Sequence, residues 1–213
     1  FSTLLVVAGV VALLSRRAAL GGLILGFGVW AKWTNAVFLP VAGLYVLSWR
    51  ELRPALRFGL AAALPLAGLF ALNHHMFGSP FVTPYDRVLI REHGKMVLEA
   101  SHRTFFNMPF WSGLWVQLTD THLGLIVGCP AVLLSPLGAA LLLRRVPLEG
   151  ALITLSTLAQ LAIFAKYEQW WTSSYGPRFL LTSVALSALL VAPVLQQLFA
   201  GYGAGKSARE HAS

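Results

Sequence analysis

Two cations stand where an apolar chain gives them little cover. Arg178 follows Trp170-Trp171-Thr172-Ser173-Ser174-Tyr175-Gly176-Pro177 and precedes an apolar run that opens at Phe179. A guanidinium presents a planar fork of donors that matches a phosphate, and a helix starting at Phe179 adds its positive N-terminal end. The competing assignment is an arginine reaching to lipid headgroups, or one paired with Glu168. An ionisable group at a membrane mouth points to function by default. Lys32, in Lys32-Trp33-Thr34-Asn35, interrupts a second apolar stretch. At the tip of a short helical hairpin its ammonium can meet a phosphate or a carboxylate; with Trp33 beside it, it can equally serve as an interfacial anchor.

Other reactive types are sparser. Arg87, Arg91 and Lys95 follow a spacing of four, which puts them on one face of a helix lying on the membrane surface, where they can grip lipid phosphate. Gly94 weakens that helix. Asp120 and Glu168 border apolar spans and are the better-placed carboxylates for general-base work, against the plain alternative of an ion pair or a solvated face. His74, His75, His93, His102 and His122 show no metal-site spacing such as H-E-x-x-H. A phosphate-cradling glycine loop, a Gly-x-Ser-x-Gly and a Cys-x-x-Cys are all absent from the sequence. No metal or cofactor is therefore expected.

The elements that must position these groups are membrane helices. The chain has 213 residues, of which 57% are hydrophobic and 11% charged, against about a quarter charged in a soluble domain. Its net charge of +8 is concentrated in short loops. That is the pattern of topology determinants rather than of nucleic-acid binding. The single cysteine, Cys129, allows no internal disulfide. Phe1 opens inside an apolar run with no leader before it, so the expectation is a piece whose N-terminal part is missing.

Taken in order, 1–14 reads as the tail of a span ending at Arg16-Arg17. Residues 18–31 and 35–49 read as two short helices of about 21 Å each that meet at Lys32. Gly22 and Gly26 form a small-xxx-small pair suited to close packing. Spans are expected over 58–72, with a kink at Pro65, and then over 122–143, 150–165 and 179–200. The polar stripe Thr154, Thr157 and Gln160 suits hydrogen bonding between helices. Aromatic clusters at Phe105–Trp115 and Tyr167–Tyr175 read as belts at the headgroup level. Arg16, Arg17, Arg50, Arg53, Arg57, Arg144, Arg145, Lys206 and Arg209 fall on one side by parity, while the loops 74–110 and 166–178 fall on the other. The positive-inside rule puts those two loops on the non-cytoplasmic face.

Four stretches carry a resemblance. Asn73–Tyr85 (NHHMFGSPFVTPY), the run GLILGFGVWAKWTNAVFLPVAGLYVL, the run LGLIVGCPAVLLSPLGAALLLRR and WWTSSYGPRFLL together resemble bacterial multi-spanning glycosyltransferases related to protein mannosyltransferases and the lipid A aminoarabinose transferase. The likeness covers most of 18–195, with the last motif the most specific. It implies a C-type glycosyltransferase fold with its active site near the outer face. The sugar would come from a polyprenyl-phosphate carrier and be transferred with inversion, a carboxylate activating the acceptor hydroxyl and cations stabilising the departing phosphate. Lys32, Asn73, Gly78, Pro80, Tyr85, Gly176, Pro177 and Arg178 match by position. The phosphate would fall to Arg178, Lys32, Arg87 and Arg91, and the cavity wall to Tyr85, Trp170, Trp171 and Tyr175. Two departures stand out: Thr172-Ser173-Ser174 replaces a glycine-rich run, and Thr119–Leu125 replaces a Ser-Pro-x-x-Gly-Leu pattern. The family's usual catalytic carboxylate belongs to a first outer loop with no counterpart here, which leaves Asp120 and Glu168 as weak candidates.

The expected architecture is an all-α polytopic bundle of about seven hydrophobic segments. A single membrane domain would occupy 1–200 and a short polar cytoplasmic tail 201–213, with an interfacial amphipathic helix within 74–110. The expected partners are the bilayer, a polyprenyl-phosphate-linked sugar and an acceptor of unspecified class. A transporter or lipid flippase, and a non-catalytic subunit of an envelope-assembly complex, are the competing functions. Paired broken helices in two matching halves, a common mark of transporters, are not evident in the sequence.

Overall fold

The structure is a computed structural model that describes residues 1–82, 87–92, 95–100, 106–122, 124–167 and 180–210, with side chains described outside 87–100 and 201–210. Nine α-helices and one hairpin are described. The first half runs α1 (Ser2–Leu14), α2 (Ala18–Ala31), a 3-10 turn (Trp33–Val37), α3 (Phe38–Leu47) and α4 (Leu52–Phe77). After the hairpin strands β1 (Arg87–Glu92) and β2 (Lys95–Ala100) come α5 (Phe110–Thr119) and the single turn α6 (Leu125–Gly128). A second 3-10 turn (Pro130–Leu134) leads to α7 (Ser135–Arg145), α8 (Pro147–Ala165) and α9 (Leu181–Glu210).

Three of these helices, α4, α8 and the 181–200 part of α9, are long and apolar enough to cross a membrane; α1, α2 and the 33–47 stretch are shorter apolar rods. The expectation of about seven spans thus reduces to three of full length among the described residues. One loss has a clear cause. The expected span over 122–143 is broken at Cys129, whose backbone leaves the helical region (φ −152°, ψ 76°), because Pro130 disfavours helical backbone at the residue before it. By contrast α4 continues through Pro65 over 26 residues, about 39 Å at 1.5 Å per residue.

The hairpin corrects the expected interfacial helix. Arg87–Glu92 pairs antiparallel with Lys95–Ala100, Glu92 opposite Lys95 and Arg91 opposite Met96. Val88, Ile90 and Val97 are β-branched, and only His93-Gly94 separates the two runs. β-Branched runs around a two-residue connection containing glycine favour a hairpin, and here they outweigh the spacing of the basic residues.

Packing is inverted relative to a soluble protein. Leu52, Leu56, Leu60 and Leu64 of α4 are 71, 55, 73 and 69% exposed, whereas Asn35, Asn73, Gln117 and Gln160 are only 2–3% exposed. A continuous leucine face of this kind is unfavourable in water and solvated in hydrocarbon. Apolar burial drives little helix association in lipid, so contact depends on close approach at small residues. Gly22 of α2 lies against the Phe58 carbonyl of α4, and Gly26 lies against Ala62 and the Pro65 ring. The small-xxx-small expectation is met there. Gly138 of α7 does the same against the Leu190 carbonyl of α9. One core, including Val10, Leu25, Phe38, Phe58, Leu152 and Leu186, joins α1–α4 to α7–α9.

The bundle has two chemically distinct ends. At one end Arg16 Nη2 lies 3.9 Å from Glu149 Oε1, and its guanidinium sits 4.8 Å from the Trp49 ring centre. The Tyr45 hydroxyl lies 3.5 Å from the same Glu149 oxygen. Arg17 and Arg57 line a cleft at the same end. At the other end Ser2, Asn35, Phe70, Phe164 and Thr182 come together through the contacts described below. The helix beginning at Leu181 runs to Glu210, so the backbone stays helical where a polar tail was expected.

Candidate functional site

The site is built around a helix stop. α2 ends at Lys32, whose extended backbone (φ −160°, ψ 116°) turns the chain into the 3-10 turn. The break falls where the sequence places it. Asn35 secures it: Nδ2 donates to the Gly28 carbonyl and to Ser2 Oγ, each at 2.8 Å. A buried amide left without such partners costs about 1–3 kcal/mol, so these bonds fix the turn against α1.

Lys32 is half-buried, and its Nζ stands 4.5 Å from the centre of the Phe164 ring. That ring is nine-tenths of the way along α8 and is itself 2% exposed. A cation over a desolvated aromatic face gains up to about 2 kcal/mol. Phe164 also meets Tyr167 edge-on at 5.9 Å and packs with Leu125 and Leu180. Gln117 of α5 donates to its carbonyl oxygen. Thr3 and Thr182 hydroxyls are 3.1 Å apart, which ties the start of α9 to the start of α1. The chain therefore leaves α8 through Tyr167 and re-enters the bundle at Leu180 at the same end as Lys32.

Arg178, Glu168, Trp170, Trp171, Tyr175 and Tyr85 lie outside the described residues. Arg87 and Arg91 are described as β1 backbone, on the hairpin rather than on a helix. Asp120 closes α5, and its Oδ1 accepts the His122 N–H at 2.9 Å, while its own carbonyl accepts the Gly124 N–H at 3.0 Å. This is the local turn chemistry that Asp favours. It gives Asp120 a structural task at the link from α5 to Leu125.

The matched residues Asn73, Gly78 and Pro80 have a structural reason to be together. α4 ends at Gly78 with φ +75°, its N–H bonded to the His74 carbonyl at 2.9 Å. A residue with a Cβ is strained in this left-handed cap. Asn73 Nδ2 then donates to the Pro80 carbonyl at 3.3 Å, folding the outgoing chain back onto α4. The Phe70 ring meets Trp33 and Phe81 at tilted angles, with centroids 5.9 and 5.6 Å away.

An apolar groove of about 410 Å³ begins at Leu125 and runs between α7, α8 and α9 past Thr154, Leu158 and Leu190. Ser135 and Thr154 line it, and among the described residues their hydroxyls have no hydrogen-bond partner. Thr157 bonds to the Ile153 carbonyl of its own helix at 2.9 Å, so the expected polar stripe acts within α8 at that residue rather than between helices.

Sequence reasoning missed Phe164, Asn35 and Lys166. Phe164 reads as one more apolar residue of a span. The Asn35 bonds reach back across 33 positions to Ser2. Lys166 caps α8 and is exposed, and among the described residues no carboxylate lies in ion-pair range of it. Its place at a helix C-terminus, where a cation is favoured, is a readable signal. Among the described residues no three His, Cys, Asp or Glu side chains gather as a metal site. The chain matches no family model, no curated protein and no solved structure.

Proposed function

We propose that this chain is part of an integral-membrane glycosyltransferase that takes a sugar from a polyprenyl-phosphate carrier. The observation that carries the reading is Lys32, held over Phe164 where the chain enters and leaves the segment containing Arg178. In this reading the ammonium of Lys32 and the guanidinium of Arg178 receive the lipid phosphate. The acceptor oxygen attacks the anomeric carbon, the bond to phosphate oxygen breaks, and the two cations stabilise the charge gathered on the leaving phosphate. The isoprenoid tail lies in the groove from Leu125 to Leu190. Asp120 and Glu168 are the carboxylates to test as base, and Trp170, Trp171, Tyr175 and Tyr85 are assigned to the cavity wall.

The orientation belongs to the same proposal. The arginine-bearing end faces the cytoplasm and the Lys32 end faces outward, because short basic loops are retained inside. The test is glycosyl transfer from a polyprenyl-phosphate sugar by the full-length protein in membranes. Arg178→Ala is expected to lower transfer by about a hundredfold or more while the protein still inserts and accumulates. Wild-type turnover in that variant removes Arg178 from the mechanism, and sugar flux without covalent transfer by the wild type replaces the reading with transport.

A further inference from the structure

We propose that the arginine-bearing end carries a docking site for the phosphate of an anionic membrane lipid, in the cleft between the α1–α2 turn and the first turns of α4. This goes beyond the transferase reading and takes from it only the orientation of the bundle. The cleft has a volume of about 330 Å³, and its lining includes Arg16, Arg17, Ala18, Leu20, Pro54 and Arg57. Among the described residues no acidic side chain lines it. Arg16 already serves Glu149 and Trp49. Arg17 and Arg57 have no carboxylate in ion-pair range among the described residues, and both are exposed. Two guanidiniums are thus brought to one cleft from helices that meet through Gly22 and Phe58. Like charges held together repel unless an anion lies between them, and a phosphate oxygen set suits two forks at once.

The surroundings select a lipid over a free anion. Leu20 stands three residues after Arg17 and is 41% exposed; Leu60 stands three residues after Arg57 and is 73% exposed. Residues three apart share a helix face, so each arginine stands above an outward leucine. A headgroup phosphate placed between the arginines would carry its acyl chains along those leucines. Basic pockets between membrane helices on the cytoplasmic side bind anionic headgroups in this way. Ala18, Ala19 and Leu20, the first turn of α2, line the same cleft, and that turn has no side-chain cap.

The experiment uses detergent-solubilised full-length protein titrated with dioleoyl-phosphatidylglycerol, dioleoyl-phosphatidylcholine or inorganic phosphate, with bound lipid counted by native mass spectrometry and Tm followed in parallel. Phosphatidylglycerol is expected to be retained in preference to phosphatidylcholine and to raise Tm. Arg17→Gln with Arg57→Gln weakens that binding by roughly tenfold or more. Arg17→Lys with Arg57→Lys keeps the charges and much of the binding, and Arg57→Gln alone gives an intermediate loss if the double variant does not fold. Arg144→Gln with Arg145→Gln, at the same end but outside the cleft, leaves binding unchanged. Equal retention of the two lipids by the wild type overturns the proposal, as does an equal loss in the Arg144/Arg145 variant. A Tm rise from inorganic phosphate that matches the lipid overturns it too, by making the cleft a free-anion site.

Discussion

The ammonium of Lys32 lies 4.5 Å from the centre of the Phe164 ring, joining the stop of α2 to the last turn of α8. The contact brings a polar break near the start of the chain to the point where α8 gives way to the 168–179 segment. A lysine held this way loses side-chain freedom before any ligand arrives, so less remains to be lost on binding. Phe164→Leu keeps the apolar volume but removes the ring face. It is expected to leave the bundle folded and to weaken carrier binding, with KM raised by roughly two- to fivefold and kcat little changed, as loss of about 0.5–1 kcal/mol of cation–π positioning implies. Steady-state kinetics with varied carrier concentration check this, and an unchanged KM shows the ring to be packing alone.

The Asn35 clasp gives a second expectation. Asn35→Leu leaves Ser2 Oγ without the Asn35 donor and the Gly28 carbonyl with the Lys32 N–H alone. Stability should fall by about 1–3 kcal/mol. Thermal unfolding in detergent reads this directly, and an unchanged Tm shows that water or detergent replaces the clasp.

Close approach of α2 and α4 gives a third. Gly22 lies against the Phe58 carbonyl, whereas Gly59, in α4 itself, has nothing within 4 Å of where a Cβ would stand. Gly22→Leu should cost about 1–3 kcal/mol through forced separation of the helices. Gly59→Leu should be neutral or slightly stabilising, because leucine is the better helix former. Equal destabilisation by the two variants contradicts the packing described for α2.

A fourth concerns the end of α4. Gly78 has φ +75° and open space around its Cβ position, so Gly78→Ala tests backbone conformation without a steric clash. The expected loss is about 1–2 kcal/mol. Increased proteolysis between Gly78 and Phe81 is expected to accompany it, as the Asn73–Pro80 bond is loosened. Limited digestion of reconstituted protein checks this.

How much was legible in the sequence depended on how local the cause was. The stop at Lys32 was readable because four successive residues, Lys32 to Asn35, interrupt an apolar run. The Gly22/Gly26 contact was readable because spacing alone defines a small face. The gathering of Arg16, Arg17 and Arg57 at one end follows from parity of the helices. At Arg87 two local signals conflict: three cations spaced by four favour a helix face, while Val88, Ile90, Val97 and the short His93-Gly94 link favour the strand that forms. The break at Cys129 is written in Pro130, but the average hydropathy of 122–143 points to one span. The partnership of Lys32 with Phe164 spans more than a hundred residues and has no periodic signature, so only the folded chain reveals it.

The central claim is that Lys32 and Arg178 act on one phosphate. A double-mutant cycle on transfer from the polyprenyl-phosphate sugar tests it most directly, with Lys32→Ala, Arg178→Ala and the pair measured in the same membranes at matched protein levels. Each single change is expected to lower transfer by about a hundredfold or more, and the pair to lower it by clearly less than the product of the two. Losses that multiply in full, or near-wild-type transfer in either single variant, contradict a shared phosphate at this end of the bundle.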